Sequence, residues 1–336
     1  MVKRNSAIDI LRAGLMFLIV MHHCWRHGIF YRPDSLLEWI FTMSIIWHVD
    51  CFVAISGWFG IRFSLYKFVK LYGVIFFYSI LNFVYESWST GEWTIRNFEI
   101  VSGWFGSAYL MLMLVSTLLN EAIEGAVKKG TRAAWCAYAL FAVGFVFNWA
   151  PRGLFSGISV AGPLSLFTLV FIYVTMRMVR LLIPDEQLKK VVCVGLILFP
   201  VVTLCFVALT VRWPRFICMG GYNAPHVWMF AVATVAAIAK WGNVSSWFGS
   251  LCVRISPLIF GVYVLHNNTT FGKLLYIIPE RLLASVLPPV CIMPIVASMV
   301  FCLCIFVEFI RHCFVRCIIR IVEKQFVFSG LSIPSK

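Results

Sequence analysis

In this chain of 336 residues, 61% are hydrophobic and 12% are charged, far from the roughly one quarter charged of soluble globular proteins. Apolar runs of bilayer length recur from end to end, which excludes an ordinary soluble domain and defines an all-α, polytopic membrane protein. The net charge of +14 is not a nucleic-acid footprint, because Lys and Arg cluster in short loops between the apolar runs.

Ten spans are expected, at roughly 7–25, 37–61, 68–86, 101–120, 134–150, 160–178, 190–211, 224–241, 255–271 and 287–311. With the N-terminus inside, nineteen of the 28 Lys and Arg fall in inner loops or tails and eight in outer loops, leaving Arg12 within a span. That asymmetry predicts both termini inside and an even number of spans. Trp88, Trp93, Trp104, Trp213 and Tyr222 suit an aromatic belt at the outer face. No linker or internal repeat divides residues 1–336, so the chain is expected to form one membrane domain. Residues 312–336 would be a cytoplasmic tail whose alternating basic and apolar residues suit an amphipathic helix on the inner leaflet.

The first span carries Asp9, Arg12, His22 and His23. Ionisable groups at membrane depth are costly, so they mark a functional site facing the protein interior. Arg12 and His23 are eleven residues apart, which returns to within about 20° of one helix face and separates them by roughly 16 Å. Asp9, three residues before Arg12, is placed to pair with it. His22 points about 100° away from His23. The first span starts with basic residues but has no small-residue cleavage site after it, so it is expected to be a retained anchor.

The second span carries His48, Asp50, Ser56 and Gly57. At about 1.5 Å per residue, His23, His48 and Asp50 lie at comparable depths, roughly 24, 20 and 17 Å from the inner ends of their helices. Asp50 or His48 could hold His23 in the tautomer a general base requires, and Asp50 could equally pair with Arg12 or a backbone group. At the start of the third span, Lys67 and Lys70 with nearby Arg62 could hold the phosphates of a nucleotide-like donor or anchor the chain to anionic lipid. Asn223 and His226 open the eighth span near the outer face, where they could meet a polar substrate. His266 in the ninth span lies at the level of His23, and Glu308 in the last span is placed to pair with Arg311.

Most of the twelve cysteines sit inside expected helices and act as small hydrophobes, and no Cys-x-x-Cys pair occurs. No metal site is expected. No P-loop, Gly-x-Ser-x-Gly or His-Glu-x-x-His string is present, so nucleotide hydrolysis and zinc proteolysis have no support.

Ile8-Asp9-Ile10-Leu11-Arg12-Ala13 followed by His22-His23, Phe52 to Gly57, and Phe260 to His266 stand in this order along the chain. In these strings the sequence resembles the acyltransferase-3 family of integral-membrane O-acyltransferases acting on cell-surface glycans. Arg12 and His23 match the family's Arg-x10-His spacing, Phe52–Gly57 its Phe-Phe-x-x-Ser-Gly string, and Phe260–His266 its Gly-x-Tyr-x-x-His signature. One departure is the inner-loop Arg-x-x-Arg, here Lys67-x-x-Lys70, which keeps the charge and loses the bidentate fork. The resemblance implies acetyl-coenzyme A as cytoplasmic donor and a glycan or lipid-linked sugar as acceptor. It also implies donor contacts from Arg12, Lys67 and Lys70, His23 as the base, and location in the bacterial inner membrane. The family can carry an added extracytoplasmic esterase-like domain, and this chain would act alone or with a separate partner. A transporter or flippase of lipid-linked sugars is the rival assignment; repeated halves with broken helices would favour it, and no paired set is evident.

Overall fold

The computed structural model describes residues 5–29, 36–94, 98, 103–149, 165–212, 221–267 and 271–328. Trp213 of the expected aromatic belt and the last eight residues of the expected tail lie outside them. The described chain is helical: α1 (Ser6–His27), α2 (Leu36–Ile45), α3 (His48–Phe59), α4 (Leu65–Thr90), α5 (Trp104–Lys128), α6 (Thr131–Trp149) and α7 (Leu166–Leu182), followed by α8 (Asp185–Arg212), α9 (Pro225–Trp241), α10 (Trp247–Ile255), α11 (Ile259–His266), α12 (Phe271–Leu283) and α13 (Pro289–Phe328).

Among the described residues, seven helical stretches are long and apolar enough to cross a membrane. Helices fall at all ten expected spans, but α6, α7 and α9 are not among the seven; α7 and α9 have 17 residues each, at the lower end of the roughly 17–25 that cross a hydrocarbon core. The second span is not one rod. It breaks at Ile46-Trp47, where the Trp47 indole donates to the Ser44 carbonyl at 2.8 Å, and His48 then starts α3. The ninth span, expected at 255–271, lies earlier: the membrane-length stretch is Trp247–His266, and a 3-10 turn at Ser256–Leu258 that contains Pro257 separates its two halves, α10 and α11. At the other end of the chain, α13 runs unbroken for 40 residues, so the stretch after Arg311 continues the last span to Phe328 instead of starting a separate helix.

The first helix is the hub. It packs against α3, α9, α10, α11 and α13. Its N-cap Asn5 accepts from the Ala7 and Ile8 N–H groups, and Asp9 sits in the first turn where the helix dipole favours an acid. Two glycines set the spacing around it. A Cβ on Gly57 would stand 2.7 Å from the Tyr173 carbonyl oxygen, so α3 and α7 approach backbone to backbone. A Cβ on Gly261 would overlap the Glu308 carboxylate, which brings α11 onto α13. Glu308 is buried, accepts from Arg311 Nε at 2.7 Å and from the Tyr78 hydroxyl at 2.8 Å, and so ties α4 to α13. The aromatic belt is only partly at the surface. Trp88 and Trp93 are exposed, while Trp104 and Tyr222 pack against each other with ring centroids 5.5 Å apart.

Candidate active site

The periodicity of α1 puts Arg12, Met16 and Ile19 along one wall of an internal cavity of about 220 Å³. Facing them are Val49, Phe52, Ile55 and Ser56 of α3, with Tyr109 and Tyr263 contributing hydroxyls from α5 and α11. Arg12 marks one end of this wall, its Nη1 3.2 Å from Asp9 Oδ1. Asp9 is fully buried and the Arg12 side chain about one third exposed, so the guanidinium bridges interior and surroundings. Within the cavity, Ser56 Oγ donates to the Phe52 carbonyl at 3.1 Å and therefore accepts from the Tyr109 hydroxyl at 2.8 Å. The lining is otherwise mostly apolar, and this hydroxyl pair is a polar station within it.

One step further along the same α1 face stands His23. Its Nδ1 lies 3.0 Å from His266 Nε2, joining the first helix to the last residue of α11. The second nitrogen of His266 lies 2.6 Å from the Val262 carbonyl oxygen. A carbonyl can only accept, so His266 Nδ1 carries its proton toward Val262. In a neutral pair, His266 Nε2 then accepts and His23 Nδ1 donates, which leaves the lone pair on His23 Nε2. That is the tautomer of a general base, held here by a second imidazole in the place a carboxylate takes in other triads. The Tyr263 ring, at the cavity wall, lies 6.1 Å from His266, so cavity and imidazole pair adjoin.

The remaining sequence-selected residues fall in three places. His48 and Asp50, both buried, make no hydrogen bond to His23 among the described residues; the His48 ring instead neighbours His22 at 5.5 Å. His266 occupies the partner's position expected for them. Lys67 and Lys70 are exposed on the first turns of α4 and do not line the cavity, though the next residue, Leu71, does. The loop leading to them is pinned: the Ile61 N–H donates to the Tyr173 hydroxyl at 3.0 Å, and Asn120 donates to the Ile61 carbonyl at 2.8 Å. His226 is buried against Phe199 and Phe206 of α8, with ring centroids 6.1 and 5.1 Å away, and Asn223 is buried beside Tyr222.

Sequence reasoning missed Tyr109 and the Val262 carbonyl, and it met Tyr263 only as the tyrosine of the Gly-x-Tyr-x-x-His string, with no role. A tyrosine in an apolar helix carries no local mark of facing a cavity, and a backbone carbonyl carries none at all. It also passed over Arg180, whose guanidinium sits 4.8 Å above the Trp58 ring near the end of α3. Among the described residues no group of three or more His, Cys, Asp or Glu is arranged to hold a metal ion.

Apolar helices of membrane length, with an imidazole pair beside a cavity, define an integral membrane protein. The chain belongs to the acyltransferase-3 family: it matches the family described as Acyltransferase domain over residues 5–309, nearly its whole length. It is thus a membrane acyltransferase. No curated protein and no solved structure matches it.

Proposed function

We propose that the chain moves an acetyl or other short acyl group from acyl-coenzyme A to a hydroxyl of a surface-glycan or lipid-linked sugar, in the bacterial inner membrane with both termini inside. The observation that carries this reading is the alignment of Arg12, Met16 and Ile19 along one cavity that adjoins the His23–His266 pair. A thioester on a long flexible arm suits a narrow, mostly apolar passage with a cation at its mouth. Arg12, with Lys67 and Lys70 outside it, would receive the donor's phosphates. The Ser56–Tyr109 hydroxyls would meet the arm's amide groups.

At the thioester, His23 Nε2 takes the proton of the acceptor hydroxyl as its oxygen bonds to the acyl carbon. The carbon–sulfur bond breaks, and the imidazolium returns the proton to the departing thiolate, so protons and charge balance over the turn. His266 keeps His23 in the required tautomer. Oriented polar groups near the carbonyl would stabilise the oxyanion.

Purified protein incubated with acetyl-coenzyme A labelled in its acetyl group and with extracted envelope glycan tests the assignment. Base-labile label on the glycan is expected with the wild type and is lost in a folded His23→Ala variant. Full activity in that variant, or passage of lipid-linked sugar across vesicles without labelling, overturns it; the latter would favour the flippase.

A further inference from the structure

Three buried side chains near His23 take no part in the scheme above. His22, His48 and Asp50 are 5%, 1% and 1% exposed. Neither ring nitrogen of either histidine, and neither carboxylate oxygen of Asp50, has a hydrogen-bond partner among the described residues. Folded proteins leave few such atoms unpaired, and in a membrane interior no bulk water compensates. The two imidazoles are grouped, and Tyr222 links Asp50 to them. The rings of His22 and His48 are 5.5 Å apart, and the Tyr222 ring lies 6.4 Å from His48 with its hydroxyl within electrostatic reach of Asp50.

The backbone points to the same place. The break at Ile46-Trp47 starts α3 in the interior, with no side-chain cap on its first N–H groups. Irregular backbone at membrane depth is tolerated where it is buried in protein or lines a cavity, and half-helix ends there hold polar ligands. None of the three side chains lines the donor cavity. His22, however, follows directly on the catalytic level, its ring 5.9 Å from that of His23.

We propose that His22, His48 and Asp50 form the acceptor subsite, binding neighbouring hydroxyls of one sugar ring so that a further hydroxyl meets His23 Nε2. The inference rests on the acyltransferase reading above and adds which face of the site takes the sugar. A carboxylate only accepts, and an imidazole both donates and accepts; together they match a diol, whose groups do both. The thioester arm, arriving from Arg12, occupies the other side of the imidazole pair.

The test uses full-length protein in lipid nanodiscs, acetyl-coenzyme A, and end-labelled oligosaccharides cut from the envelope glycan of the producing cell. His48→Gln and Asp50→Asn are each expected to weaken oligosaccharide binding by tenfold or more and to raise the acceptor KM equally. The KM for acetyl-coenzyme A stays within twofold. Because the wild-type groups lack partners among the described residues, Asp50→Asn is expected to melt at or above the wild-type temperature. Unchanged oligosaccharide binding in both variants, a donor KM that rises instead, or a large loss of melting temperature in both overturns the subsite. The two layers separate cleanly. A wild type that binds oligosaccharide without acetylating it sinks the acyltransferase reading alone, and variants that bind and acetylate like the wild type sink the subsite alone.

Discussion

His23 and His266 are 243 residues apart in the chain and 3.0 Å apart across two helices, and the direction of that hydrogen bond is set by the Val262 carbonyl behind it. If His266 acts only by holding His23 in one tautomer, its side chain is replaceable by any group that accepts at the same point. His266→Ala is expected to reduce kcat by about a hundredfold, within the range general-base catalysis supplies, with donor KM little changed. His266→Gln, whose amide oxygen can accept from His23 Nδ1, is expected to recover part of that loss. Steady-state kinetics on the two variants decide this; equal damage in both, or damage confined to KM, contradicts the positioning role.

The cavity makes a steric prediction. Ile19 lines it, and the larger Trp side chain in its place would fill part of a 220 Å³ space between Arg12 and Tyr263. Ile19→Trp is expected to raise the KM for acetyl-coenzyme A by tenfold or more. Leu118→Trp, on an exposed face of α5, should leave it unchanged. A long acyl donor such as octanoyl-coenzyme A should suffer more than acetyl-coenzyme A, and equal kinetics for all three proteins would show that the thioester travels elsewhere.

How much of this geometry the sequence discloses depends on the range of each contact. The Asp9–Arg12 and Glu308–Arg311 pairs are three residues apart on a helix, and helical periodicity alone brings them together. The wall through Arg12, Met16 and Ile19 follows from the same 3.6-residue repeat. The imidazole pair does not. It needs α1 laid against α11, and nothing local in either helix names the other. The break between α2 and α3 was equally hidden, since neither Gly nor Pro marks Ile46-Trp47. Depth counting put His48 at the level of His23, but depth does not say which way a side chain turns, and His48 turned toward His22.

Glu308 is the polar tie most exposed to test. Its carboxylate is 1% exposed and held by Arg311 and Tyr78, with Gly261 leaving room for it. Glu308→Ala strands a largely buried guanidinium and is expected to destabilise the fold by about 3–5 kcal/mol. Gly261→Ala should also lower the melting temperature, because its methyl group and the carboxylate claim the same space. The two effects should be non-additive, since the three atoms nearest that methyl all belong to the Glu308 carboxylate. Additive losses in thermal unfolding would mean that Gly261 serves some other contact.

Outside the membrane-length stretches, Glu280 of α12 is buried and accepts from the Ile29 N–H at 2.7 Å, fixing the chain where α1 ends. Burial raises its pKa above the ordinary value of 4.5, against the opposing pull of the Ile29 hydrogen bond. A carboxyl raised in the fold holds its proton there after the unfolded chain has released it. The folded state therefore binds more protons in the window above pH 4.5, and stability falls as pH rises through that window. Glu280→Gln, which cannot ionise, is expected to flatten this part of the curve. Its melting temperature should decline less than the wild type's between pH 4.5 and neutrality. Identical slopes, or a wild type that gains stability over the same range, would show that the Ile29 hydrogen bond outweighs burial. Because the tie sits six residues beyond His23, Glu280→Ala should reach the site as well, loosening the end of α1 and lowering kcat without altering any group that meets the substrate.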